Sequence, residues 1–322
     1  RANGEARSGA EVARAHAVPV AHEVRQRGGA AAAARISSCP RSSEAPLKPQ
    51  VFGAHTFGFA FHQDAEAAID ALIAHGFSTL ELMATPPHYN PWSASPALQS
   101  RLRSRIERAD IRLLALDLAS SDINLASPAP EVIDFAVESY FALIERSAEL
   151  GAEAICVGSG RRHMLLPKVN AALFPGFRAA FERIFERANR AGLKTLIENH
   201  PQGLLASAHA IRDFIAAGGY DGCGVIYDVA NGFAIGEDPV SGLETLGDLT
   251  RIVHLSDAPS GQWRHDAIGS GDIDFAAILA HLDTIGFREP IVLEILADDP
   301  MAGLVDGSAR LQDLPRLQDL PS

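Results

Sequence analysis

From residue 51 onward, short apolar runs alternate with longer segments in which apolar residues recur every three to four positions. The short runs are typical of buried strands, and the longer amphipathic segments are typical of helices. The predicted strands cover residues 51–57, 78–82, 111–117, 153–157, 193–197, 224–227, 251–254 and 290–294. The predicted helices cover residues 64–74, 96–109, 131–150, 170–191, 207–217, 239–246 and 275–285.

Glycines punctuate this pattern at the ends of predicted helices, where a positive φ is needed before the next strand: Gly76, Gly151, Gly192 and Gly286. A strand followed by a helix, repeated through a core of roughly 250 residues, predicts a single-domain α/β fold, the closed (β/α)8 TIM barrel. An open doubly wound sheet is the alternative. It would normally carry a G-x-G-x-x-G turn after its first strand, and the sequence has none there.

The ends of the chain have a different composition. Residues 1–50 are rich in Ala, Arg, Gly and Ser and show no regular apolar period, which predicts a flexible N-terminal extension. The predicted barrel domain covers residues 51–298. Residues 299–322 are expected to form a C-terminal helix or tail, in which L-Q-D-L-P occurs at positions 311 and 317.

Composition narrows the classes of function. The chain has 322 residues, 47% of them hydrophobic, and a formal net charge of −12. An acidic protein is poorly suited to nucleic acid or anionic membranes, so neither is expected as a partner. The three cysteines are widely spaced and fit neither a disulfide framework nor a zinc motif. Two of them, Cys156 and Cys223, are predicted to be core residues, and a cytoplasmic location is expected.

Four predicted strands end in residues that can ligate a metal. The fifth lies in L-K-T-L-I-E-N-H-P and leads to Glu198 and His200, and the sixth, seventh and eighth present Asp228, His254 and Glu294. In a barrel, the carboxyl ends of the strands meet at one mouth. Converging buried carboxylates repel one another and are costly to desolvate, and a divalent cation would offset both effects. The alternative is that each acid caps a helix or pairs with an arginine.

The oxygen-rich set of three carboxylates and one imidazole favours a single divalent ion. Mn²⁺ is the preferred ion, and Mg²⁺, Co²⁺ or Zn²⁺ are alternatives. Glu81, inside L-E-L-M of the second strand, could also reach the metal or make a buried structural hydrogen bond. Phe57 and Trp92 are candidates for an apolar wall.

With these residues the sequence resembles the xylose isomerase-like TIM barrels, in particular the sugar phosphate isomerase/epimerase group. The resemblance implies that Glu198, Asp228, His254 and Glu294 bind one metal ion. It also covers the pattern after strand seven, in which His254 is followed by Asp257, Arg264 and a G-S-G at residues 269–271. A homodimer or homotetramer and a small carbohydrate substrate are expected by the same resemblance.

The expected reaction is the isomerisation or epimerisation of a sugar or sugar phosphate by proton transfer α to a carbonyl, through a metal-stabilised enediolate. Glu198 and Glu294 are the expected acid/base pair. The expected substrate-binding residues are polar side chains near the strand ends: His55, His88, His200, Asn231, Asp257, Arg264 and His265.

His200 keeps a second reaction open, because E-x-H-P also resembles the dehydratases of the same superfamily, of the 3-dehydroshikimate or inosose type. A non-catalytic sugar-binding protein is a further alternative. The endonuclease IV branch is disfavoured, since Asn231 stands where that branch carries a second histidine.

Overall fold

Eight parallel strands close into a barrel in the computed structural model, which describes residues 51–119 and 122–314. The strands are Gly53–His55 (β1), Thr79–Met83 (β2), Arg112–Asp117 (β3), Ala154–Gly158 (β4), Lys194–Glu198 (β5), Gly224–Asp228 (β6), Thr250–Leu255 (β7) and Ile291–Leu293 (β8). Each strand pairs with the next along the chain. The barrel closes where Gly53 and Ala54 lie beside Val292 and Leu293. The predicted TIM barrel is confirmed.

Helices follow the strands around the outside of the barrel. They are Ala65–Ala74 (α1), Pro96–Arg108 (α2), Pro130–Leu150 (α3), Asn170–Arg190 (α4), Ala208–Gly218 (α5), Val229–Ala234 (α6), Pro239–Leu246 (α7), Phe275–Thr284 (α8) and Pro300–Gln312 (α9). All seven predicted helices are present. The short α6 was not predicted, because six residues are too few to show a helical period. It begins directly after β6, where Asp228 caps it.

Local signals explain where these elements begin and end. Asp64 accepts a hydrogen bond from the Ala67 amide at the start of α1, and Ser95 does the same for Leu98 in α2. The predicted positive φ is confirmed at the four glycines, with values of 86°, 80°, 76° and 67° at Gly76, Gly151, Gly192 and Gly286. These residues turn the chain from a helix back to the next strand.

Apolar packing has two layers. A small inner cluster, which includes Leu114, Cys156, Leu196 and Val292, fills the barrel interior. A larger cluster packs between the strands and the surrounding helices. Cys156 and the core residue Cys223 are buried free thiols, as predicted. The inner layer forms the floor beneath the strand ends, so polar groups above it are shielded from water on that side.

The expectation of a flexible extension over residues 1–50 lies outside the described residues, as does the second copy of the tail repeat. Helix α9 reaches the first copy and packs near β8. Within residues 51–119 and 122–314, no helix is both long enough and apolar enough to cross a bilayer.

Candidate metal centre

Four acidic or imidazole side chains meet at the carboxyl end of the barrel. Glu198 and Asp228 are the last residues of β5 and β6, His254 lies near the end of β7, and Glu294 follows β8. One ligand atom from each lies within 4.8 Å of the others. The Nδ1 atom of His254 is 3.2 Å from Glu294 Oε2, 3.5 Å from Glu198 Oε1 and 3.8 Å from Asp228 Oδ2. We call these four residues the acidic cluster.

The two oxygens of Asp228 have different surroundings. Oδ1 accepts a 2.6 Å hydrogen bond from the Asn231 amide and so caps α6. Oδ2 is buried inside the acidic cluster and accepts no hydrogen bond from any residue that the structure describes. Burial raises the pKa of this carboxyl to about 7, because the charged form has lost its water. A divalent cation would provide the missing partner for Oδ2, so the donor set fits such an ion.

Glu81 of β2 holds the far side of the His254 ring. Its Oε2 lies 2.6 Å from Nε2, and both side chains are buried. Burial alone would lower the pKa of His254, but the carboxylates of Glu81, Glu198 and Glu294 together outweigh it, and the pKa is raised well above its ordinary value. With Nε2 directed at Glu81, Nδ1 is left facing the acidic cluster. This is the carboxylate–histidine arrangement common behind metal ligands, and Glu81 therefore makes the buried hydrogen bond rather than joining the cluster itself.

A cavity of about 300 Å³ opens beside the cluster. Its size is at the lower end of the range for small-molecule sites. Six of the expected functional residues line it: Glu198, His200, Asn231, Arg264, His265 and Glu294. Phe57 contributes to an apolar wall, whereas Trp92 stacks on Phe135 with ring centroids 6.3 Å apart and is not among the lining residues.

His200 faces this cavity as a neutral ring. Its Nδ1 accepts a 3.2 Å hydrogen bond from the Gln202 amide, so the proton of the neutral ring resides on Nε2. Burial lowers the pKa of His200, which keeps the ring uncharged near neutral pH. The side chain can therefore offer an N–H donor to a ligand in the cavity.

Arg264 and His265 occupy the same rim but have different neighbours. The Arg264 guanidinium makes two contacts with Asp266, at 2.7 and 2.8 Å, and is largely exposed. His265 Nδ1 lies 3.1 Å from Ser256 Oγ and 3.5 Å from Glu294 Oε2. Burial alone would lower the pKa of His265, but the carboxylates of Asp228 and Glu294 outweigh it and raise the pKa. His265 thus adjoins the acidic cluster, and Arg264 forms an outer edge.

Asp257, which was expected to bind substrate, is not among the residues that line the cavity. Its two oxygens accept hydrogen bonds from the backbone amides of Gly269, Gly271, Ala258 and Ile273, at 2.8 to 3.3 Å. Four donors satisfy the carboxylate fully, so Asp257 organises the loop after β7.

His88 and His55 also lie outside the lining of the cavity. His88 Nδ1 donates to the Gln63 carbonyl at 2.7 Å, and its Nε2 lies 3.1 Å from Thr56 Oγ1, so both nitrogens are used to join two loops. His55 accepts the Phe57 amide at Nδ1 and lies 3.2 Å from an Asp117 oxygen through Nε2. Both rings are buried and bonded to neighbouring residues, so their expected contact with substrate stays a prediction that the lining of this cavity does not support.

Two polar residues that line the cavity were not predicted. Asp117 is the last residue of β3, and burial raises its pKa to about 6. The same strand-end position that singled out Glu198 would have identified it. Trp263 lies on the loop after β7, within a polar segment that has no periodicity. No local sequence signal marks it. Met83, Leu118 and Leu296 add apolar surface.

Known proteins resemble this chain in fold and, to a lesser degree, in sequence. A relative from Methanocaldococcus jannaschii, itself uncharacterised, is 24% identical over 234 residues, which cover 71% of this chain and 78% of the relative. A D-tagatose 3-epimerase-like protein superposes with a TM-score of 0.71 at 22% identity, over 82% of this chain and 96% of that one. A probable 3-DHS dehydratase of Bacillus anthracis gives 0.67 at 14% identity, over 82% and 99%.

At these identities the solved structures establish the fold alone. The family itself is established by sequence, because residues 69–314 match the model of the xylose isomerase-like TIM barrel. That match covers most of the barrel, including all four residues of the acidic cluster. The chain therefore belongs to the xylose isomerase-like TIM barrel family.

Proposed function

We propose that this protein is a divalent-metal-dependent isomerase or epimerase of a sugar or sugar phosphate. The observation that carries the proposal is the placement of Glu198 and Glu294. Both belong to the acidic cluster and both line the cavity, yet they come from β5 and from the end of β8. Two carboxylates on separate strands beside one ion site can serve two faces of a bound carbonyl compound.

When bound, a divalent cation polarises the substrate carbonyl and stabilises the negative charge that develops as the α proton leaves. Glu198 or Glu294 takes that proton, and the other carboxyl returns one. Asp228 and His254, which do not line the cavity, would hold the ion, and the two glutamates would remain beside the substrate. Mn²⁺ is our proposed ion, because three carboxylates and one imidazole suit it.

The comparisons support this choice of reaction. Solved structures that share the fold include an L-ribulose 3-epimerase, with a TM-score of 0.68, and a D-psicose 3-epimerase, with 0.66. Their names describe those proteins, and the same class of reaction is our proposal for this one. The formal net charge of −12 supports a small carbohydrate rather than nucleic acid as the substrate.

Deuterium exchange tests the proposal directly. The protein is incubated with Mn²⁺ and D-tagatose or D-psicose in D₂O, and deuterium is expected to appear at the carbon next to the carbonyl. Glu294→Gln should lower the rate of exchange well below that of the wild-type protein, because it removes one of the two proton carriers. The matched control is Glu182→Gln, which makes the same chemical change on α4, where Glu182 accepts a hydrogen bond from Tyr220. Wild-type exchange by Glu294→Gln would contradict the assignment.

His200 favours a second candidate function, dehydration of a cyclic keto acid such as 3-dehydroshikimate. Its neutral ring lines the cavity beside Glu198, so its Nε2–H could protonate a departing hydroxyl group, which would leave as water, while Glu198 would take the proton from the neighbouring carbon. The fold is shared with the probable 3-DHS dehydratase of Bacillus anthracis. The test is a near-ultraviolet absorbance from a conjugated aromatic product on incubation with 3-dehydroshikimate. This signal without deuterium exchange into ketoses would replace the first proposal.

A further inference from the structure

Trp263 links two polar residues of the cavity wall. It lies on the loop between β7 and α8 and is 40% exposed. Its indole Nε1 donates a 2.7 Å hydrogen bond to Asn231 Oδ1. Its ring also makes an edge-to-face contact with His200, with centroids 4.7 Å apart and an interplanar angle of 79°. One side chain thus contacts residues that follow two different strands, β5 and β6.

The hydrogen bond fixes the orientation of the Asn231 amide. An indole N–H can only donate, so the atom that it contacts must be the amide oxygen. The amino group of Asn231 then points the other way. Asn231 lines the cavity, and its Nδ2 has no acceptor among the residues in the described part of the chain. The amide therefore offers N–H donors rather than an acceptor to the cavity.

His200 offers a donor beside it. Since Nδ1 accepts the Gln202 amide, Nε2 is the protonated nitrogen. The indole ring packs against the imidazole and limits its rotation, because aromatic pairs at this separation have a preferred geometry. The two donors are thus both held in place by Trp263.

The loop that carries Trp263 is closed at its base and at its tip. Asp257 and Asp266 exchange two backbone hydrogen bonds, of 2.9 and 2.7 Å. At the tip, the Gln262 amide donates to the Pro259 carbonyl, and the Ser260 amide donates to Asp272. The position of Trp263 is therefore set by the loop itself before any ligand enters.

We propose that Trp263 is a positioning residue, which orients Asn231 and His200 so that both present N–H donors to one side of the cavity. That side would bind an oxygen of the substrate that accepts hydrogen bonds, such as a hydroxyl or carbonyl oxygen. The identity of the ligand rests on the proposed function, and the orientation of the amide does not. The two donors would favour a substrate that has a hydrogen-bond-accepting oxygen facing the ends of β5 and β6.

Fluorescence tests the contact without any turnover. The chain has two tryptophans, Trp92 and Trp263, so Trp92→Phe leaves Trp263 as the only indole. In that protein Asn231→Leu should lower the fluorescence anisotropy of Trp263 and raise its quenching by acrylamide about twofold, because the acceptor is lost. Asn231→Asp keeps an acceptor oxygen and should leave both values near those of the parent. Asn189→Leu, on the outer helix α4, is the control substitution. Unchanged anisotropy and quenching in Asn231→Leu would overturn the proposal.

A double-mutant cycle then tests the role in binding, with Mn²⁺ and D-tagatose as the probe. Trp263→Phe keeps an aromatic ring and removes the N–H, and it should raise KM about 3- to 10-fold with kcat changed less than about twofold. In an Asn231→Leu background the same change should alter KM less than about twofold, because the partner is already absent. Additive losses would overturn the proposal. If the wild-type protein exchanges no ketose proton, the proposed function fails, and the fluorescence result still decides the positioning role.

Discussion

The two halves of the barrel mouth use buried carboxylates and histidines differently. At the ends of β5 to β8, Glu198, Asp228, His254 and Glu294 come within 4.8 Å of one another. In β1 to β3, the corresponding groups lie beside that cluster and contact one another or support it from behind. Asp117 contacts His55 at 3.2 Å, and a β2 carboxylate holds the His254 ring from behind.

His55 and His254 differ in the surroundings of the second ring nitrogen. Each has one nitrogen beside a carboxylate, Glu81 for His254 and Asp117 for His55. The other nitrogen of His55 lies 3.8 Å from Glu294 Oε1, but its lone pair already accepts the Phe57 amide. The other nitrogen of His254 faces three carboxylates, where it can ligate an ion. The same kind of histidine–carboxylate pair thus joins loop backbone on one side of the mouth and faces the acidic cluster on the other.

The largest expected effect comes from breaking the cluster itself with Asp228→Asn. The amide oxygen still accepts the Asn231 amide, so the cap of α6 is preserved, but one ligand charge is lost. We expect a loss of about 4 kcal/mol in ion binding, or roughly 1,000-fold. Mn²⁺ should raise the melting temperature of the wild-type protein, a gain that a chelator removes, and should leave that of the variant unchanged. Equal stabilisation of both proteins by Mn²⁺ would show that Asp228 does not bind the ion.

A smaller effect is expected from Glu81→Gln, which alters the support behind the cluster. The amide no longer provides a negative charge to hold the N–H of His254, so metal affinity should fall about 10- to 100-fold. Isothermal titration with Mn²⁺ measures this, and the absorption spectrum of bound Co²⁺ should also change. Glu182→Gln on α4 is the matched control. An unaltered affinity and spectrum would show that the ring is oriented by packing alone.

The smallest effect on the ion is expected from Asp117→Asn on the other half of the mouth. Its partner His55 is not part of the acidic cluster, so Mn²⁺ affinity should change less than about threefold. Because Asp117 lines the cavity, KM for a ketose should rise instead, by about 2- to 10-fold for a lost charged hydrogen bond. A loss of metal affinity as large as that of Glu81→Gln would show that both halves of the mouth contribute to ion binding.

Much of this arrangement could be predicted from sequence. The alternation of strands with helices, and the residues at which the strands end, are both visible in local runs of apolar residues. The cluster followed from Glu198 and Asp228 ending apolar runs, since all strand ends of a barrel share one mouth. The role of Glu81 was harder to predict, because an acid in the middle of a buried strand can point to either side of the sheet.

Sequence reasoning placed residues least well where loops determine which side chains reach the cavity. Asp257 and His88 are polar residues near the mouth, but backbone amides and carbonyls of their own loops use their side-chain atoms. A buried loop must satisfy such groups, and sequence does not show which side chain will do so. Trp263 shows the converse, since an aromatic residue in an aperiodic loop gave no sign that it would reach Asn231.

The closed base of the loop after β7 has a consequence for how this family could diversify. Asp257 and Asp266 join the two arms by backbone hydrogen bonds, which do not depend on the side chains between them. Residues 259–264 can therefore differ in length and sequence while β7 and β8 keep their register. Exchanging that segment as a block would change the donors offered to a ligand and leave the acidic cluster in place, so the loop is a suitable target for directed evolution of specificity.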